Sequence, residues 1–261
     1  YKRQEITHEE FYTRFAECDE LPKTSQPSPD TFMKVFNEAV ADGDDVLGIF
    51  ISSDLSGTYQ SACLAASDVE DETGKKLYMV DSRSASIGTA LLIREAVKLR
   101  DAGVNVSDIA AACTEMSKYI KLTAVVGSLK YLKMGGRLSG AAAFAGTMLH
   151  ITPVVSIEDG KVVVIGKTRG KKAAEKLMHD KLTEDGLSLT RDFMFGHINC
   201  SESLETFINK SLTYISDVNG NVGVSSIGCS VGTHVGPGTY GIAYVEAAES
   251  GMNRESIVKT A

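Results

Sequence analysis

The sequence of 261 residues has no apolar run approaching the ~18 residues of a membrane-spanning helix. It has no signal-peptide pattern at its start, and its first residue is Tyr1 rather than Met. Basic residues are the minority, 27 Lys and Arg against 34 Asp and Glu, for a net charge of −7. The Lys-rich stretch at Lys167, Lys171 and Lys172 is short. Without a basic stripe, no nucleic-acid partner is expected. The five cysteines, Cys18, Cys63, Cys113, Cys200 and Cys229, form no C-x-x-C pair and no Cys/His cluster. That argues against a zinc site or a thioredoxin-like motif. Their odd number and wide spacing read as free thiols in a reducing cytoplasm. No G-x-S-x-G elbow of an α/β-hydrolase occurs.

What is present is an ordinary globular composition, 43% hydrophobic and 23% charged. The length suits one large domain or two modest ones. The first half reads as alternating helices and buried strands. Thr7 and Glu10 have capping-box spacing for a helix from Ile6 to Phe15. Asp30 to Val40 is a second helix with Phe32, Val35, Phe36 and Ala39 on one face. The continuous apolar runs Val46–Ile51 and Leu77–Val80 predict buried parallel strands. Helices follow at Thr58–Ser67, Thr89–Ala102 and from a Ser107 cap to Tyr119. The order βαβα predicts an α/β fold with a parallel, three-layer sheet.

The second half differs. Strands are predicted at Leu122–Val126, Asp192–Ile198, Val222–Val231 and Tyr240–Val245. Pro153–Ile157 and Lys161–Ile165 flank Asp159-Gly160, a hairpin signal. Helices are predicted at Lys171–Leu182 and from Ser201 to Tyr214, with a short helix broken by Gly135-Gly136. Gly140 to Met148 is rich in Ala and Gly. About six strands of this kind require a mixed sheet. The change of style sets an expected boundary: an N-terminal α/β domain over 1–117 and a C-terminal α/β domain over 118–261.

Five polar segments could carry chemistry. In Ile51-Ser52-Ser53-Asp54-Leu55-Ser56-Gly57-Thr58 a strand ends and a helix begins, where open α/β sheets bind ligands. Helix N–H groups and the Ser53, Ser56 and Thr58 hydroxyls suit a carboxylate or phosphate oxygen, unless Ser56 or Asp54 is merely a cap. Thr24-Ser25-Gln26-Pro27-Ser28-Pro29 is a second hydroxyl-rich loop, stiffened by proline, or else a plain connection. Asp81-Ser82-Arg83-Ser84-Ala85-Ser86 lies at another strand end, with Asp81 read as a cap rather than a triad acid. Arg137 follows two glycines and is suited to an oxyanion, or is a solvated side chain at a helix break. His234, between glycines after a predicted strand, is not expected on a helix face and can hydrogen-bond a carboxylate. Gly236-Pro-Gly238-Thr-Tyr-Gly241 matches G-x-G-x-x-G, but strand-like residues follow it and no βαβ unit remains, so a dinucleotide site is not expected.

Taken in order, Thr-Ser-Gln-Pro-Ser-Pro, Ile-Ser-Ser-x-Leu-Ser-Gly-Thr-Tyr-Gln-Ser-Ala, Val-Asp-Ser-x-Ser-Ala-Ser, Gly-Gly-Arg-Leu-Ser and Gly-Thr-His-x-Gly-Pro-Gly resemble the DegV family of bacterial fatty-acid-binding proteins. The resemblance covers nearly the whole chain. It implies two α/β domains with a long-chain fatty acid, such as palmitate, stearate or oleate, held between them. By resemblance, Thr24 and Ser56 contact the carboxylate and His234 completes the network, with Ser25, Ser53, Gly57 and Thr58 beside them. Arg137 would lie at the mouth, near where an acyl phosphate forms, and Arg169 would help dock a separate fatty acid kinase. No catalytic residue, cofactor or metal is expected in this chain. The family's usual opening strand, with its Asp-Ser-Thr/Ser-x-Asp motif, has no counterpart, so an N-terminally truncated member is expected. The alternative is a small-molecule enzyme of related fold, either a hydrolase using Ser56 and His234 or a dihydroxyacetone-kinase-like subunit.

Overall fold

The computed structural model describes residues 6–18, 20–139, 151–188, 191–215 and 220–247. The Ala/Gly-rich segment from Gly140 to Met148 lies outside them. Helix α1 spans His8–Glu17, and the Thr7 side chain accepts from the Glu10 N–H, as its spacing predicts. Helix α2 is Pro29–Ala41, with Ser28 as its cap and proline at its start. Strands β1 (Leu47–Phe50) and β2 (Tyr78–Asp81) pair in parallel, with helix α3 (Thr58–Thr73) crossing between them. Helices α4 (Ile87–Asp101) and α5 (Val106–Met116) follow. The cap of α5 is Asn105, which accepts from the Asp108 N–H, and not Ser107 as predicted. An Asn carbonyl two residues earlier reaches that donor first.

This part is three-layered, as the βαβα order predicts. Phe36, Ala62, Ala65, Val69 and Leu77 pack on one face, with Phe50 and Met79. Val80 and half-buried Leu47, Ile49 and Tyr78 pack on the other, against α4 and α5. Alternate residues of each strand therefore serve opposite faces, which is why both runs are apolar throughout.

A six-stranded mixed sheet follows, in the order β5-β4-β3-β8-β6-β7. Its strands are β3 (Ile120–Val125), β4 (Thr152–Glu158), β5 (Lys161–Thr168), β6 (Phe193–His197), β7 (Val222–Ser226) and β8 (Tyr240–Val245). All neighbours are antiparallel except β6 and β7. Asp159 and Gly160, at φ 47 and 79, make the tight β4–β5 turn. Helices α7 (Lys171–Asp185) and α8 (Ser201–Ser211) cover one face around Phe195, Phe207, Tyr240 and Tyr244. Helix α4 covers part of the other face, so its core joins Val80 of β2 to Met194, Ala243 and Val245.

Two short helices complete the fold, α6 (Lys130–Met134) and α9 (Cys229–Val235). The second corrects the predicted strand over Val222–Val231, which stops at Ser226, and places His234 on a helix after all. The run is apolar and rich in β-branched residues, so it reads as one strand. The helix and its end pack closely on their neighbours: a Cβ on Gly232 would strike the Tyr12 ring of α1, and one on Gly236 the Tyr131 ring of α6.

Three histidines lie below their ordinary pKa. Burial lowers His179, despite nearby Glu175, and burial alone lowers His197. Burial and then the Arg137 charge lower His234. For Asp192 burial acts upward, but bonds from Lys98, the Asn221 N–H and Arg94 outweigh it and hold the carboxyl at about 2. Below about pH 6.5 the unfolded chain takes up histidine protons that the folded chain resists, so stability falls with falling pH. A further loss is expected below about pH 4, where unfolded Asp192 protonates before folded Asp192 does. Thermal melts from pH 8 to 3 should show Tm declining through both windows; a flat profile would contradict these assignments.

Candidate functional site

A cavity with a volume of about 440 Å³ opens among the predicted polar segments. Its walls are mostly apolar. Leu122, Ala124 and Val126 line it from one face of β3 and the residue beyond, with Val155 and Ile157 of β4 and Val162 of β5. Ile51, Leu55, Ala85 and Ile87 add to the walls from the loops following β1 and β2 and the start of α4, and Leu132, Ile227, Val231 and Val235 from α6, α9 and the segment before it. The polar lining is restricted to Thr24, Ser25, Gln26, Ser56, Thr58, Ser86, Arg137, Ser230, His234 and Thr239. A mostly apolar cavity with a few grouped polar residues is the usual form of a site for an amphiphilic small molecule.

Thr24 and His234, 210 positions apart, meet at 2.7 Å between Oγ1 and Nε2. The His234 Nδ1 is buried without a hydrogen-bond partner. It faces Gly135, where a Cβ would come within 2.3 Å of it. A proton on Nδ1 would be an unsatisfied buried donor, so the neutral ring carries its proton on Nε2 and donates to Thr24. That leaves the Thr24 O–H to donate to a ligand. Gly135 thus has a physical role: it lets α6 approach α9 closely enough to seat the imidazole.

Ser56 Oγ and Thr58 Oγ1 lie 2.8 Å apart at the start of α3. The cap position itself is Gly57, with no side-chain bond, although Ser56 Oγ, one residue earlier, accepts the Thr58 N–H at 3.3 Å. Arg137 Nε donates to the Leu55 carbonyl at 3.1 Å, and its Nη1 donates to the Gly135 carbonyl. Among the described residues it has no acidic partner, so its charge remains for an anionic ligand. Burial, and after it the Arg137 charge, lowers the His234 pKa.

The cavity therefore gathers Thr24, Ser25, Ser56, Thr58, Arg137 and His234 from four separate segments. Ser53 and Gly57 do not line it. They border a shallower depression with Gln26, Pro29, Gln60 and Ser61. The Ser53 N–H is turned away to the Asp81 carboxylate, at 3.2 and 3.3 Å. Asp81 also accepts from the Arg83 N–H at 2.8 Å, so it organises the loop as a cap does. Arg169 is exposed just beyond β5 and does not line the cavity. Ser86, Ser230 and Thr239 join the lining without having been singled out. Ser86 sits in a serine-rich motif that marked it, and Thr239 in the glycine-rich segment after His234, whereas Ser230 falls in the run read as strand. His234 is bonded to Thr24 rather than to Ser56, so the serine–histidine pair of a hydrolase is not formed.

Among the described residues no group of His, Cys, Asp and Glu is arranged to hold a metal ion. No helix there is long and apolar enough to cross a membrane.

Comparison with known proteins agrees with the fold. The model of a family described as "Uncharacterised protein, DegV family" matches residues 1–247. A DegV domain-containing protein of Clostridium acetobutylicum is 36% identical over 254 residues, covering 94% of this chain and 85% of the relative. A protein of Thermotoga maritima named "Fatty acid-binding protein" is 33% identical, covering 88% and 80%. A solved structure described as fatty acid binding of a DegV family protein from Thermus thermophilus has a TM-score of 0.81 at 32% identity, covering 93% and 85%. A stearic acid-binding protein from Eubacterium ventriosum gives 0.80 at 27%, covering 94% and 85%.

Proposed function

Since this chain belongs to the DegV family, we propose that it binds one long-chain fatty acid in the cavity, with the carboxylate at Thr24, Ser56, Arg137 and His234. The observation that carries this is the division of the lining into an apolar bulk and one polar group. The names of the Thermotoga and Thermus relatives support it. Residues from both sides of position 117 line the cavity, which supports a site between two domains divided near there.

The physical case is simple. About 15 methylenes buried at ~0.8 kcal/mol each give on the order of 12 kcal/mol before ordering and transfer costs. The tail thus supplies affinity. The head group is held by the Thr24 and Ser56 hydroxyls and the unpaired Arg137 charge. A carboxylate beside Thr24 also favours a charged His234, opposing burial and Arg137.

This reading extends to the fate of the carboxyl group. The chain performs no chemistry itself and presents the carboxyl to a separate fatty acid kinase, which transfers a phosphoryl group to form an acyl phosphate. Arg137 steadies that anion, and exposed Arg169 contributes to docking the kinase. The cytoplasm, where such a kinase finds its nucleotide, is the compartment that fits.

Replacing Thr24 and Ser56 together by alanine tests the head-group assignment. Two hydrogen bonds to a charged group at ~1.5–3 kcal/mol each predict palmitate affinity lower by on the order of 100-fold or more. The Tm should stay unchanged. Unaltered affinity in the double variant would remove these residues from the site.

A further inference from the structure

The cavity's polar loop is attached to a distant part of the chain through one buried hydroxyl. Ser52, only 1% exposed, donates from Oγ to the Gly160 carbonyl at 2.7 Å. Gly160 sits in the β4–β5 turn with φ 79. A Cβ there would come within 2.7 Å of that same Oγ, so the turn is built to approach this serine. Two outer contacts accompany it, Arg83 to Asp159 at 2.9 Å and Lys161 to Asp54 at 3.5 Å.

From Ser52 the connection continues into the head-group cluster. Its carbonyl accepts the Leu55 N–H at 3.0 Å and the Ser56 N–H at 3.1 Å. The Leu55 carbonyl in turn receives Arg137 Nε. The positions of the Ser56 hydroxyl and the Arg137 guanidinium thus both depend on where Ser52 is held. We propose that Ser52, fastened to the Gly160 carbonyl, is a positioning residue for the carboxylate site, acting through Ser56 and Arg137 without touching the ligand. The proposal rests on the fatty-acid reading above.

The test must separate aiming of the head group from general loosening of the pocket. Ile157 and Val162 flank the turn and line the cavity, so loosening alone would weaken any long-chain ligand. Palmitate and hexadecanol are therefore each competed against a fluorescent fatty acid on lipid-free protein. Ser52→Ala is expected to weaken palmitate about tenfold and hexadecanol less than about twofold. Adding Ser52→Ala to Ser56→Ala should cost palmitate less than the roughly tenfold it costs alone, because the part that acts through Ser56 is already lost and only the part through Arg137 remains.

Where Ser52→Ala does not fold, Arg83→Ala loosens the same turn from its exposed side. It is expected to cost palmitate about threefold and hexadecanol nothing measurable. Equal losses for the two ligands, or fully additive losses in the double variant, would overturn the positioning role while leaving the ligand assignment intact. A wild-type chain that takes up neither ligand would overturn the ligand assignment, and the positioning role with it.

Discussion

Replacing Ala124 with phenylalanine is expected to weaken palmitate binding on the order of 100-fold while leaving the protein folded. Ala124 lies on β3 opposite Val155 of β4 and Gly241 of β8, and all three line the cavity. Its side chain shares a face with Leu122 and Val126, at the edge of a buried cluster where that cluster borders the cavity, so added atoms project toward the cavity. The cavity holds about 440 Å³, and a phenyl ring removes a substantial share of it. Excluding about four methylenes at ~0.8 kcal/mol each removes ~3 kcal/mol, on the order of a 100-fold loss. The cost to the fold should stay within the ~1–3 kcal/mol of an overpacking substitution. Titration with palmitate and a thermal melt separate the two quantities. Normal affinity in this variant would mean that the acyl chain lies elsewhere.

The second large effect concerns stability. Helix α4 packs between the two-stranded sheet and the six-stranded one, so it fixes the cavity walls relative to each other. Glu95 on α4 is 6% exposed and pairs with Arg191, 7% exposed, in the segment leading into β6. Arg94 and Lys98 on the same helix bind Asp192 at 2.9 and 2.7 Å. Glu95→Ala removes the carboxylate and leaves the guanidinium buried, which typically costs ~3–5 kcal/mol. For a chain of this length that corresponds to a fall in Tm on the order of 10 °C. The exposed Lys176–Asp180 pair is the control: Lys176→Ala should cost under about 1 kcal/mol. A Glu95→Ala variant as stable as that control would show that the pair does not hold the helix in place.

Much of the fold was legible because local and global signals agree. The β4–β5 hairpin follows from Asp-Gly, which tolerates two successive positive φ angles. The start of α1 follows from the spacing of Thr7 and Glu10. Helix α9 was hidden because its sequence favours a strand, and the close approach of Tyr12 and Tyr131 to Gly232 and Gly236 is visible only in three dimensions.

The site was legible as chemistry but not as geometry. Hydroxyls, one arginine and one histidine stand out where strands end, yet nothing local shows that Thr24 meets His234. Ser53 and Gly57 illustrate the limit. They share the motif of Ser56, but the Ser53 N–H is committed to Asp81 and the loop turns both away from the cavity. The cavity walls were hidden for a different reason. An apolar residue facing a void and one facing a neighbour look alike in a sequence, so Ala124 and Val155 read simply as strand interior.

The most direct measurement is native mass spectrometry of the purified chain, followed by denaturation and identification of any released lipid. The expected result is one additional mass equal to a long-chain fatty acid, retained in the native protein and lost on unfolding. Lipid-free protein should regain one equivalent on addition of palmitate. A chain that carries no such mass, and takes up no palmitate when it is supplied, would contradict the fatty-acid assignment of this cavity.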